Sequence, residues 1–137
     1  MVGRNYHQIF NHFVWRTKES EPLLSDEIRE RVHQAIWEKC KELGCPPIAI
    51  GSIEDHIHLL VEMKPSISPA ELIKSVKGSS SHYISQDLIT DRPFHWQSSY
   101  GVFSISKRIV PKTRDYVLNQ RQHHSEGPVF QELERTE

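Results

Sequence analysis

The chain has little cysteine, little glycine, almost no net charge and no long apolar run. Cys40 and Cys45 are its two cysteines. The absence of a second pair and of a histidine at zinc-finger spacing tells against a disulfide framework and a structural zinc site, and buried or half-buried free thiols are expected. No apolar run approaches the length needed to cross a bilayer, and no basic-then-apolar leader opens the sequence, so a cytoplasmic location is expected. No G-x-x-x-x-G-K-[ST] loop occurs, which tells against nucleoside-triphosphate chemistry. Internal repeats and low-complexity tracts are absent as well. The formal charge of −1 argues against a globally basic nucleic-acid binder. That argument weakens on inspection, because residues 126–137 hold four glutamates and one arginine, and the remainder carries 16 basic and 14 acidic residues. Phosphate binding depends on a local patch rather than on the sum.

What is present fits one folded domain. The length of 137 residues, 36% hydrophobic and 26% charged, is enough to bury a core. Residues 1–125 read as a single domain and 126–137 as an acidic tail, with a short apolar anchor at Val129, Phe130 and Leu133. "IFNHFVWR" reads as a strand from about Ile9 to Arg16. Ser25, followed by Asp26 and Glu27, opens a helix whose Ile28, Val32, Ala35, Ile36, Cys40 and Leu43 recur at helical spacing before Gly44. "PIAIGSI" and "HIHLLVEM" read as two strands joined near Glu54–Asp55. Ser68, Pro69 and Glu71 form a capping box that starts a second helix. "FHWQSSYGVFSIS" reads as an interrupted strand, and "PKTRDYVLNQRQHH" as a last helix beginning at Pro111. The order spells βαββαβ plus a helix, an α+β ferredoxin-like antiparallel sheet with two helices on one face. Its other face needs a cover or a use.

Two histidines stand out in "EDHIHLLVEM". Period-two geometry puts His56 and His58 on one side of their strand, close enough to share one metal ion. A pair supplies only two ligands. The last helix offers another, since Tyr116 and Gln120 are four apart and share a face. A glutamine carbonyl suits a hard ion such as Mg²⁺ or Mn²⁺, and imidazole suits Mn²⁺. Taken singly, each feature also has an ordinary structural explanation: a solvated pair of strand histidines, and an amphipathic helix with a boundary tyrosine.

Together these residues resemble the single-tyrosine HUH transposases of small insertion sequences, the IS200-like group that includes the REP-associated tyrosine transposases. The resemblance runs over most of the chain, through "FVWRTK", "DHIHLLVEM", "SPAELIKSVKGSSSHYI", "FHWQSSYGVFSIS" and "RDYVLNQRQHH". It implies that His56, His58 and Gln120 hold a divalent metal, Mg²⁺ or Mn²⁺, while Tyr116 attacks a phosphodiester of single-stranded DNA. The product would be a 5′-phosphotyrosine and a free 3′-hydroxyl. It further implies a homodimer with composite sites and a DNA hairpin at the element ends. Lys74, Lys77, Lys107, Arg108, Lys112 and Arg114 are expected phosphate contacts, and Trp15, Trp37 and Trp96 are expected in the core. The alternatives are a non-catalytic ferredoxin-like nucleic-acid-binding module, a relative domesticated to act on chromosomal palindromic repeats, and a small metal-dependent hydrolase in which water attacks.

Overall fold

The computed structural model describes residues 5–120 and 134–137. Its elements run β1 (Phe10–Arg16), α1 (Asp26–Glu42), β2 (Pro47–Ser52), β3 (His56–Glu62), α2 (Pro69–Tyr83), β4 (Gly101–Ile105) and α3 (Val110–Leu118). The four strands form one sheet in the order β2-β3-β1-β4, and each neighbouring pair is antiparallel. This is the expected ferredoxin-like α+β arrangement. The interrupted strand is shorter than its sequence run, because only Gly101–Ile105 pairs with β1, while Trp96 makes an isolated bridge to Thr17. The proposed apolar anchor at Val129, Phe130 and Leu133 lies outside the described residues.

The helices form where local chemistry favours them. Ser68 accepts a bond from the Glu71 backbone and Glu71 answers from its side chain, so the capping box satisfies two orphan donors at the start of α2. The α2 helix runs on into a single π turn at Ile84–Leu88. In α1, Val32, Ile36 and Cys40 recur on one buried side.

The sheet register sorts side chains onto two unlike faces. Phe13, Trp15, Ile57, Leu59 and Val61 join Leu24, Val32, Ile36, Leu72 and Val76 in the main core, so α1 and α2 cover that face. Trp15 and Trp96 meet edge to face within it, and the Trp96 indole donates to Ser80 Oγ at 3.0 Å. Cys40 and Cys45 are free thiols buried in the same layer. Burial pushes the Cys40 thiol up to about 12, which keeps it protonated and inert.

The opposite face carries His12, Val14, His56, His58 and Leu60, and α3 lies across it. Val117 packs there against Ala49 and Leu60. Close approach depends on Gly51, register-paired with His58, because a Cβ at that position would overlap the Val117 carbonyl oxygen. Gly101 plays the same part for the C-terminal residues, whose Arg135 carbonyl occupies the space a Cβ would need. Among the described residues, no helix is long and apolar enough to cross a membrane.

A candidate metal and tyrosine site on the second face of the sheet

Alternation along β3 brings His56 and His58 to the second face, with ring centroids 5.2 Å apart. Both are buried. Helical spacing along α3 buries Thr113, Tyr116 and Val117 against the same face, and Gln120 is buried two residues past its end. The Tyr116 ring meets His58 edge to face at 5.8 Å. The two histidines and the tyrosine therefore converge within one chain.

Gln120 is 1% exposed just past the end of α3 and packs over Gly51. Its Nε2 donates to the Tyr116 carbonyl at 2.8 Å. Its Oε1 is buried and accepts no hydrogen bond among the described residues. A buried amide oxygen left without a donor costs about 1–3 kcal/mol.

Between histidines and tyrosine stands a residue that the sequence did not point to. Glu134 Oε1 accepts from His58 Nε2 at 2.9 Å and lies 3.0 Å from His56 Nε2. Its other oxygen accepts the Tyr116 hydroxyl. His56, His58 and Glu134 thus form a group that could hold a metal ion. Burial would raise the Glu134 carboxyl, but hydrogen bonds from His56, His58 and Tyr116 and the charge on His58 outweigh it and hold it far below the usual carboxylate range. Such a carboxylate is a firm anion and a poor proton acceptor.

The Nδ1 atoms of both imidazoles are engaged as well. His56 Nδ1 donates to Asp55 Oδ1 at 2.7 Å, and His58 Nδ1 lies 2.8 Å from His12 Nε2. Burial alone would lower His56, yet its bonds to Asp55 and Glu134 raise it above the ordinary 6.5. Burial, with repulsion from His58, lowers His12 to about 3, so His12 is neutral. His56, His58 and Glu134 offer two imidazoles and one carboxylate without thiolate, a donor set that could hold a divalent ion.

The six expected phosphate contacts do not form one group. Lys107 and Arg108 lie on the 3₁₀ turn before α3, and Lys112 and Arg114 on α3 itself; all four are exposed. Lys74 is exposed on α2, the helix that covers the opposite face. Lys77 is half-buried there, and its ammonium donates to the Gln97 and Ser99 carbonyls at 2.5 and 3.3 Å, which ties down the approach to β4. Burial lowers its pKa.

Comparison with known proteins agrees with this layout. The family described as IS200-like transposases matches residues 5–120. The chain belongs to that family. It is 22% identical over 124 residues to the ISDra2 transposase TnpA of Deinococcus radiodurans, covering 86% of this chain and 89% of that one. A crystallised candidate transposase from Deinococcus radiodurans R1 superposes with a TM-score of 0.70 at 25% identity, over 88% of this chain and 97% of the other. A REP-associated tyrosine transposase bound to a REP hairpin shares the fold, with a TM-score of 0.66 at 14% identity, over 91% and 74% of the two chains. Family membership makes this transposase a DNA-processing enzyme.

Glu134 escaped the sequence reading because a single glutamate in an acidic tail looks like solvated charge. Two signals were available. Gly51 and Gly101 sit within strands on the histidine face, and a glycine in a strand often marks close approach of another backbone. His12 carried a third signal, since alternation along β1 separates it from Phe13 and Trp15.

Proposed function

We propose that this transposase cleaves and rejoins single-stranded DNA through Tyr116, for excision and insertion of a mobile element. The observation that carries the reading is the edge-to-face contact of Tyr116 with His58, in a cluster that also holds His56 and Glu134. A phenol has a reference pKa near 10 and is a weak nucleophile at neutral pH, so its hydroxyl needs a fixed direction and an electrophile made more reactive.

His56, His58 and Gln120 would hold Mg²⁺ or Mn²⁺, with Glu134 as a further carboxylate ligand. When bound, the ion supplies charge neutralisation for phosphate oxygens and for a departing 3′-oxygen. The chain's own residues do the rest. Glu134 accepts the Tyr116 hydroxyl and so orients its oxygen, while its depressed pKa makes it an orienting group rather than the base. Tyr116 Oη gives up its proton to solvent and forms the new bond to phosphorus as the bond to the 3′-oxygen breaks. The 3′-oxygen leaves as a hydroxyl, taking a proton from solvent. The phosphotyrosine conserves the bond energy, so a 3′-hydroxyl can later attack it and restore the phenol without an external energy source.

Lys107, Arg108, Lys112 and Arg114, borne by the same segment as Tyr116, would contact the DNA backbone. Lys74 and Lys77 are weaker candidates, the first because α2 covers the other face and the second because carbonyls already engage it. A hairpin substrate fits the fold shared with the REP-hairpin complex. Each site is taken to be complete within its own chain, in place of the composite sites that the resemblance implies, because Tyr116 already stands against His58. A homodimer would then carry two independent sites.

The test is incubation with labelled single-stranded oligonucleotides from the flanks of the gene, with Mg²⁺ or Mn²⁺. The expected result is strand cleavage with a denaturation-resistant protein–DNA adduct, both abolished by chelator. Cleavage without any adduct would favour attack by water, and binding without cleavage would favour a non-catalytic module.

A further inference from the structure

His12 stands on β1, one strand away from the histidine pair, and none of the chemistry above uses it. It is fully buried, with its ring between His58, 5.0 Å away, and Phe103, 5.9 Å away. Its Nε2 lies 2.8 Å from His58 Nδ1. Its own Nδ1 is buried and makes no hydrogen bond among the described residues. A buried imidazole with one idle nitrogen is an expensive way to fill a core position, where leucine or phenylalanine would pack without loss.

The cost makes sense once the two nitrogens of His58 are considered together. An imidazole that ligates through Nε2 must carry its proton on Nδ1, and that N–H needs an acceptor fixed in place. For His56 the acceptor is Asp55. For His58 the atom in that place is His12 Nε2. In this structure His58 Nε2 donates to Glu134 while Nδ1 faces His12 Nε2, so the partner that Nδ1 needs is in place before an ion arrives.

We propose that His12 is a positioning residue that sets which nitrogen of His58 faces the ion, by accepting the His58 Nδ1 proton so that Nε2 is left for the ion. His12 touches neither ion nor DNA and acts through His58. The inference rests on the ion site proposed above.

The experiment compares Mn²⁺ binding, by titration calorimetry and electron paramagnetic resonance without DNA, for the wild type, His12→Leu and His12→Gln. Leucine fills the space but can neither donate nor accept, whereas the glutamine amide can do either. His12→Leu should weaken Mn²⁺ binding about 10–100-fold, the usual cost of removing such an outer partner, and His12→Gln should regain most of that loss. Equal affinity of the leucine variant and the wild type, or equal weakening in both variants, would overturn the proposal. If the wild type itself bound no Mn²⁺, the ion site would fall and this inference with it; wild-type binding with no effect at position 12 would sink the inference alone. Should His12→Leu fail to fold, imidazole ¹⁵N spectra of the Zn²⁺-loaded wild type decide. A proton on His58 Nδ1 is expected there, and a proton on its Nε2 would overturn the proposal.

Discussion

The two faces of the sheet are built from the same strands by opposite rules. On the face under α1 and α2, Phe13, Trp15, Ile57 and Leu59 pack in an apolar layer whose stability comes from area removed from water. On the other, His12, His56, His58, Gln120 and Glu134 are equally buried yet polar, and each is held by a specific partner or left with an unused atom. Burial without apolar character is costly, so the second face holds its residues at a cost in stability that the first does not bear. A strand with period-two alternation lets one β3 serve both, since Ile57 and Leu59 face the core while His56 and His58 face the site.

The sharpest way to break this comparison is to ask whether the polar face is complete in a single chain. Mixing Tyr116→Phe with a His56→Ala, His58→Ala double variant should give no cleavage at all, because neither protein owns an intact site. Recovery of activity in the mixture would show that tyrosine and histidines come from different subunits. Next in size is Gly51→Ala. Its new methyl would meet the Val117 carbonyl and push α3 off the sheet. A misplacement of about 1 Å at the nucleophile can cost about 10²-fold in rate, and a loss on that scale is expected in single-turnover cleavage. Unchanged cleavage would mean that α3 need not lie so close.

The apolar face should respond differently. Leu59→Ala, in the main core, is expected to lower stability by about 2–5 kcal/mol in denaturant unfolding, with little change in cleavage per folded molecule. The smallest effect is on pH dependence. Burial, helped by Arg29, lowers His33 to about 4, and its Nε2 bonds to Ser52 Oγ at 2.7 Å. The unfolded chain takes up this proton near 6.5 and the folded chain only near 4, so His33 costs stability progressively as pH falls through that window. The melting temperature should drop from pH 6.5 toward pH 4, and His33→Gln should flatten the slope. An unchanged slope would place the titration elsewhere.

Much of the fold was legible because its signals are local. Aromatic and β-branched residues marked β1, alternation marked β3, the Ser68–Glu71 box marked the start of α2, and helical spacing marked α1. The histidine pair was legible for the same reason, being two residues on one strand. That Tyr116 and Gln120 belong with them came from resemblance, since nothing in their own spacing names a partner. Glu134 and His12 were not read because their contacts depend on register and on chain separated by 76 and 46 residues from His58. A tail glutamate and a strand histidine look ordinary until the strands they approach are known.

One measurement bears on the whole account most directly: mass spectrometric mapping of the covalent adduct formed with a single-stranded oligonucleotide. The account predicts the nucleotide 5′-phosphate on the peptide containing Tyr116, and no adduct from Tyr116→Phe despite an intact fold. An adduct on any other residue, or one that persists in Tyr116→Phe, would contradict it.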